Sequence, residues 1–233
     1  MRAMAALHLA GNALLLWLGY YWLGLGESRA ATLAWSATVA AALLILACWL
    51  YGGAFSFFRI PGAGVLAAFR SVLRNLWKLA AFAIAVLVIY ALLAKWQEYS
   101  GRPAFSFASW LTLKLRKPVK PASVLRVFNV ALWLVRWLVL PAILVPAFAA
   151  LAGTRGRRWY SIEAPVLVLL ALWIPSRLLG WVPHVESFGM EMASFLVRAL
   201  CAYLLFIAAG LGVAFRASAG RPERSQPKTV ASP

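Results

Sequence analysis

Aspartate does not occur in this chain, and the six acidic residues are all Glu. Charge of either sign is scarce, at 12% of positions, against about 25% in an ordinary soluble domain. Without Asp, any reaction that needs a pair of aspartates is excluded. The two cysteines, Cys48 and Cys201, both sit inside apolar runs, where a thiol behaves as a small hydrophobe. Neither their number nor their spacing makes a disulfide framework or a metal site. His8 and His184 are far apart and fall at opposite ends of the expected topology, which opposes shared metal binding; each reads as a polar residue at a membrane boundary. The sequence contains no HExxH, GxSxG, CxxC or Gly-rich phosphate loop. Glu98 and Glu163 lie on opposite sides of the expected bilayer and form no acid–base pair. No cofactor is implied, and the chain reads as non-enzymatic.

What is present is apolar: 64% of the 233 residues are hydrophobic and 14% aromatic, with a mean hydropathy of +0.82. A chain of this size cannot bury so large a share of its side chains in water, because too much of its area faces outward. Lipid is therefore the expected solvent. Spanning a hydrocarbon core of about 30 Å takes about 20 apolar residues. Six runs meet that requirement, near 9–25, 31–51, 76–96, 127–150, 164–182 and 193–215. Trp and Tyr prefer headgroup depth, and they mark the ends of these runs: Tyr20, Tyr21 and Trp22; Trp49 and Tyr51; Trp77, Trp96 and Tyr99; Trp159, Tyr160 and Trp181. The expected fold is an all-α, polytopic membrane helix bundle of about six transmembrane helices. These make a single domain over 1–215, followed by a disordered polar tail at 216–233. Arg2, an apolar run and Ser28-Arg29-Ala30 loosely fit a secretory signal, but the length and aromatic content of the run favour a retained first helix.

Two linkers are long. After Ile60-Pro61-Gly62-Ala63-Gly64, the residues Val65, Leu66, Phe69, Val72, Leu73 and Leu76 recur on one helical face, with Arg70, Arg74 and Lys78 on the other. This pattern predicts an amphipathic membrane-surface helix over 65–78 with its cations toward anionic headgroups; a plain basic flank is the simpler reading. In the linker 97–126, Leu111, Leu113 and Leu115 alternate with Thr112, Lys114 and Arg116, the period of an edge strand. A short interfacial helix or a hairpin on the membrane surface fits there; a lipid-exposed strand within the hydrocarbon does not. Ala30, Ala34, Thr38 and Ala42 form a small-residue stripe suited to close helix packing, and Ala208 to Gly212 offer a second one. No internal repeat supports an inverted-repeat transporter.

The net charge of +17 points to anionic lipid rather than nucleic acid, because the cations punctuate apolar runs instead of lining one soluble face. Counted by side, Lys and Arg divide almost evenly. The basic segment at 65–78 and the cluster Arg155, Arg157 and Arg158 favour cytoplasmic N- and C-termini in a cell (inner) membrane. Glu27, Glu98, Glu186 and Glu191 then gather on the other side.

Three cations lie within spans. An Arg near a helix centre costs about 2.5–3.5 kcal/mol, and the Leu, Ile, Phe and Val residues of the fourth run together return about 6 kcal/mol. That run therefore inserts despite Arg136. Arg136, Arg177 and Arg198 fall at overlapping depth, with Glu191 seven positions before Arg198 on one helical face. Together they are candidates for an anion or lipid-headgroup site, with Glu186 or Glu191 as resting partners. The plainer alternative has Arg177 and Arg198 snorkelling, with only Arg136 buried near carbonyls freed by Pro141 or Pro146. Two functions follow as expectations, ahead of a membrane enzyme acting on a lipid phosphate, for which the sequence offers no acid–base group or nucleophile. One is a non-enzymatic membrane component that packs with other membrane proteins or binds anionic lipid. The other is a small transporter or channel subunit for an anionic solute.

Overall fold

The computed structural model describes residues 1–26, 29–59, 62, 64–153, 161–182 and 187–218. Every regular element among them is helical: α1 (Arg2–Leu23), α2 (Ala30–Arg59), α3 (Val65–Leu73), α4 (Leu76–Tyr99), α5 (Gly101–Leu115), α6 (Pro121–Leu134), α7 (Leu140–Leu151), α8 (Glu163–Val168), α9 (Ile174–Gly180) and α10 (Phe188–Ser218). A π-helical turn at Val135–Val139 joins α6 to α7, and a second at Leu169–Trp173 joins α8 to α9. Six continuous helical stretches are long and apolar enough to cross a membrane: α1, α2, α4, Pro121–Leu151, Glu163–Gly180 and α10. The all-α bundle expected from composition is the fold observed.

These helices alternate in direction, so one end of the bundle collects the start of α1, the end of α2, α3, the start of α4, the end of α7, the start of α8 and the end of α10. We call it the basal end. The main hydrophobic core lies there, built from Met4, Cys48, Leu50, Ala54, Phe55, Phe69, Val72, Leu79, Ala149, Ala152, Val213 and Ala214. Ser218 Oγ donates to the Phe55 carbonyl at 2.9 Å, and Arg216 approaches Glu163 at 3.6 Å, tying α10 to α2 and α8. The location has a physical cause. Hydrophobic burial stabilises helix contacts only where water is the alternative. At about 1.5 Å per residue, the 30 residues of α2 outreach the hydrocarbon. The stretch from Gly52 to Ser56 beyond the apolar run is wholly buried. At lipid depth the helices stay open: Ile84, Leu87, Val88 and Leu92 of α4 all face outward.

α1 shows the same inversion of soluble-protein patterning. Its buried residues are Met4, His8 and Asn12 at i, i+4 and i+8, while Leu14, Leu16, Trp17, Tyr20 and Leu23 are exposed. Polar inward and apolar outward is the arrangement that lipid as solvent requires.

Several local expectations are corrected. The segment 97–126 holds no strand, and of the two forms expected there the helix is the one observed: α5 runs through Leu115 and packs Ala104 and Ala108 against Val124 of α6, with Leu111 and Phe128 at the margin. The 3.6-residue recurrence of Ala104, Ala108 and Leu111 finds a partner helix, whereas the period-2 alternation has no neighbouring strand to pair with. Arg116, with φ 52°, ends α5 in the left-handed region. Of the Ala30, Ala34, Thr38 and Ala42 stripe of α2, the first three are exposed and Ala42 is half-buried; the buried residues of α2 are Ser36, Val39, Cys48 and those of the Gly52 region. The α10 small-residue stretch does pack, with Gly210 against Tyr51 and Gly212 against Leu167. α3 stops at Leu73, because Arg74 and Asn75 form a turn that re-aims the chain, and Lys78 belongs to α4. Glu27, Arg155, Arg157, Arg158, Trp159, Tyr160, His184, Glu186 and the tail from 219 lie outside the described residues.

Candidate functional site

The expected apolar face of α3 is divided: Phe69 and Val72 are locked to protein, whereas Leu66 and Leu73 stay exposed. Gly52 and Gly53 remove two side chains from α2, and Val72 and Phe69 occupy the space so left. The Phe69 ring meets Trp49 edge-on at 5.3 Å, and Trp49 Nε1 donates to the Phe69 carbonyl at 3.1 Å. The Ser56 and Ser71 hydroxyls are 2.6 Å apart, and Ser71 Oγ lies 2.7 Å from the Ala68 carbonyl. With Ala68, Phe69 and Val72 turned inward, the outer side of α3 presents Leu66 and Leu73 as one stripe and Arg70 and Arg74 as the next. A groove of about 590 Å³ runs over this side, lined by Leu66, Ala67, Arg70, Ser71, Arg74 and Asn75. No acidic residue occurs between Gly64 and Lys78. Beside the groove, Lys78 Nζ lies 5.6 Å from the ring centroid of the exposed Trp77, a cation–π contact.

A second polar constellation sits within the bundle. His8 is 1% exposed and Asn12 3% exposed. Asn12 Nδ2 donates to the His8 carbonyl at 2.8 Å, and the Tyr51 hydroxyl donates to Asn12 Oδ1 at 2.9 Å. The His8 and Tyr51 rings meet edge-on at 5.4 Å, and the Tyr203 hydroxyl of α10 donates to the Leu9 carbonyl. α1, α2 and α10 are thereby joined by hydrogen bonds beside the basal core. His8 falls in the second turn of α1, which begins at Arg2, and is buried against Tyr51 of α2 rather than facing outward. Neither composition nor any motif singles out Asn12; its one signal in the sequence is the spacing Met4, His8, Asn12 on one helical face.

The three intramembrane Arg residues differ in surroundings. Arg198 is 7% exposed, its Nε donates to the Ser194 carbonyl at 3.2 Å, and its Nη1 is enclosed without a hydrogen-bond partner among the described residues. Arg136 is half-buried and Arg177 exposed. Glu191 is exposed on α10, and no ion pair joins it to Arg136, Arg177 or Arg198 among the described residues. No three His, Cys or Glu side chains group as metal ligands among those residues.

Arg136 matters through its backbone. In the π turn, the Leu140 N–H reaches back to the Val135 carbonyl. The Arg136 carbonyl is next in that register and faces Pro141, which has no N–H to give. The Tyr90 hydroxyl of α4 donates to it at 2.9 Å instead. The second π turn repeats the arrangement with Leu169 and Pro175, and Trp133 and Trp173 bring the two together at 6.5 Å. Pro141 and Pro175 thus each stand two residues after a π turn, where the i−4 bond that proline lacks is bypassed. Tyr90→Phe is expected to cost about 0.5–1.7 kcal/mol, read as a lower Tm in detergent. The cost should shrink in a Pro141→Ala background, where an N–H is restored; an equal cost in both backgrounds contradicts this role for Tyr90.

Comparison with known proteins gives no match to a family model, to a curated protein or to a solved structure.

Proposed function

We propose that this chain is a non-enzymatic, lipid-embedded component of an anionic cell membrane, with both termini cytoplasmic, which engages acidic phospholipid at its basal end. The observation that carries the reading is α3: an amphipathic helix fixed at one end of a six-span bundle, its Arg70 and Arg74 turned outward and paired with no acid among the described residues. Juxtamembrane cations gain about 1 kcal/mol each near an anionic leaflet, and cytoplasmic loops carry the excess of Lys and Arg. Arg59, Arg216 and Lys78 add to the charge of the same end. The test is to isolate the full chain from cell membranes in mild detergent and analyse the lipid that accompanies it. The reading expects anionic phospholipid enriched over the bulk bilayer; a composition equal to the bulk contradicts it.

A second reading rests on Arg198, whose enclosed Nη1 has no hydrogen-bond partner among the described residues, which suits a transporter or channel subunit for an anionic solute. It expects chloride or phosphate flux into liposomes carrying the chain, reduced by Arg198→Met. Flux no greater than in empty liposomes contradicts it.

A further inference from the structure

We propose that the groove on α3 is a specific site for the phosphate of one acidic phospholipid, gripped by Arg70 and Arg74, with the acyl chains running along Leu66, Leu73 and Trp77. The inference rests on the anionic-membrane reading and narrows it from a property of a face to a site.

The geometry supplies three elements of such a site. Residues four apart on a helix lie about 5–6 Å from each other at Cβ, so the two guanidinium groups flank one position. Each offers N–H donors in a planar fork that matches phosphate oxygens. Leu66, at 79% exposure, and Leu73, at 53%, form an uncovered apolar stripe on the side of the Arg pair nearer the packed face. Trp77 follows at the start of α4 with 69% exposure. A phospholipid needs this order, cations beside an apolar strip at headgroup depth. The Asn75 side chain, which makes no capping bond to α4, lines the same groove and offers an amide to a headgroup hydroxyl or phosphate oxygen.

Rigidity separates a site from a generally sticky helix. A free amphipathic helix orders only as it binds, and that ordering subtracts from its affinity. α3 is already held by Phe69 and Val72 in the Gly52–Gly53 notch and by bonds from Trp49 and Ser56. Arg70 and Arg74 therefore project from a scaffold that exists before lipid arrives, and among the described residues no carboxylate pairs with them. At the other end of the bundle, Arg102 and Lys114 of α5 are also exposed, but Lys114 lies over the Trp110 ring at 4.9 Å. They give a control of equal charge.

Native mass spectrometry of the full chain in detergent supplemented with phosphatidylglycerol or phosphatidylcholine tests the proposal. The unsubstituted protein should retain phosphatidylglycerol preferentially. The Arg70→Gln/Arg74→Gln variant should hold it at least tenfold more weakly, equivalent to about 1.4 kcal/mol. The Arg102→Gln/Lys114→Gln variant, with the same loss of net charge, should bind within twofold of the unsubstituted chain. Equal retention by the Arg70/Arg74 variant overturns the site while leaving the anionic-membrane reading intact. Equal weakening in both variants also overturns it, since net charge alone then suffices. Absence of any phosphatidylglycerol preference in the unsubstituted chain contradicts the broader reading as well. Circular dichroism of each variant, expected to stay unchanged, separates lost binding from lost folding.

Discussion

Gly53→Val is expected to detach α3 from α2 and destabilise the basal end by about 3 kcal/mol, the upper part of the range for overpacking. A Cβ at Gly53 would stand 2.6 Å from both Cε1 and Cζ of Phe69, well inside van der Waals contact. The ring has little room to retreat: Phe69 is buried and held edge-on by Trp49. On the next residue, a Cβ at Gly52 would meet Val72 Cγ1 at 2.8 Å, so neither position of the notch has slack. Once α3 lifts, Arg70 and Arg74 become sites for trypsin, and limited proteolysis of the detergent-solubilised chain should cut there faster than in the unsubstituted protein. Removing the obstructing ring offers a rescue: Gly53→Val/Phe69→Ala should be more stable than Gly53→Val alone. Gly19, where an added Cβ would meet no atom within 4 Å, serves as control, and Gly19→Ala should leave the proteolysis pattern unchanged. A Gly53→Val protein with unaltered Tm and unaltered cleavage contradicts the packing described for α3.

Asn12→Leu is the second substitution with a large expected effect. It strips the Tyr51 hydroxyl of its acceptor and the His8 carbonyl of its side-chain donor in one step. Leaving a buried polar group without its partner costs about 1–3 kcal/mol. In a chain of this size each kcal/mol lowers Tm by roughly 2–4 °C, so a fall of several degrees is expected. A double-mutant cycle with Tyr51→Phe makes the claim specific. If the two groups serve one bond, Tyr51→Phe should cost less in the Asn12→Leu background than alone, because its partner is already gone. Strict additivity would mean that the hydroxyl and the amide act independently, against the geometry.

The spans were legible because hydropathy and aromatic placement report the bilayer, which acts on every residue of a helix alike. The ends were less so. α1 reaches back to Arg2 through His8, and α2 runs on to Arg59 through two glycines. Neither extension is apolar enough to read as span, since both are stabilised by neighbours far along the chain. Seating α3 on α2 depends on residues such as Gly53 and Phe69, whose complementarity has no periodic signature. The amphipathic pattern at 65–73 gave the helix and its cations; it did not say that Phe69 and Val72 face protein rather than acyl chains. The α5 segment misled because its Leu residues alternate over a few positions, while the partner that decides the period, Val124 of α6, lies beyond two prolines. Asn12 and Tyr51 carry no motif at all; only the i, i+4 spacing of His8 and Asn12 hinted at an inward polar face.

Lipid is the solvent of this bundle, and α3 and α5 lie at its opposite ends. Single cysteines at Ala67 and Ser106, both exposed, introduced into a Cys48→Ala/Cys201→Ala chain, test this arrangement directly by labelling with a membrane-impermeant maleimide in sealed, uniformly oriented vesicles. One of the two positions should react in intact vesicles and the other only after the membrane is opened. Reaction of both from the same side would contradict the arrangement.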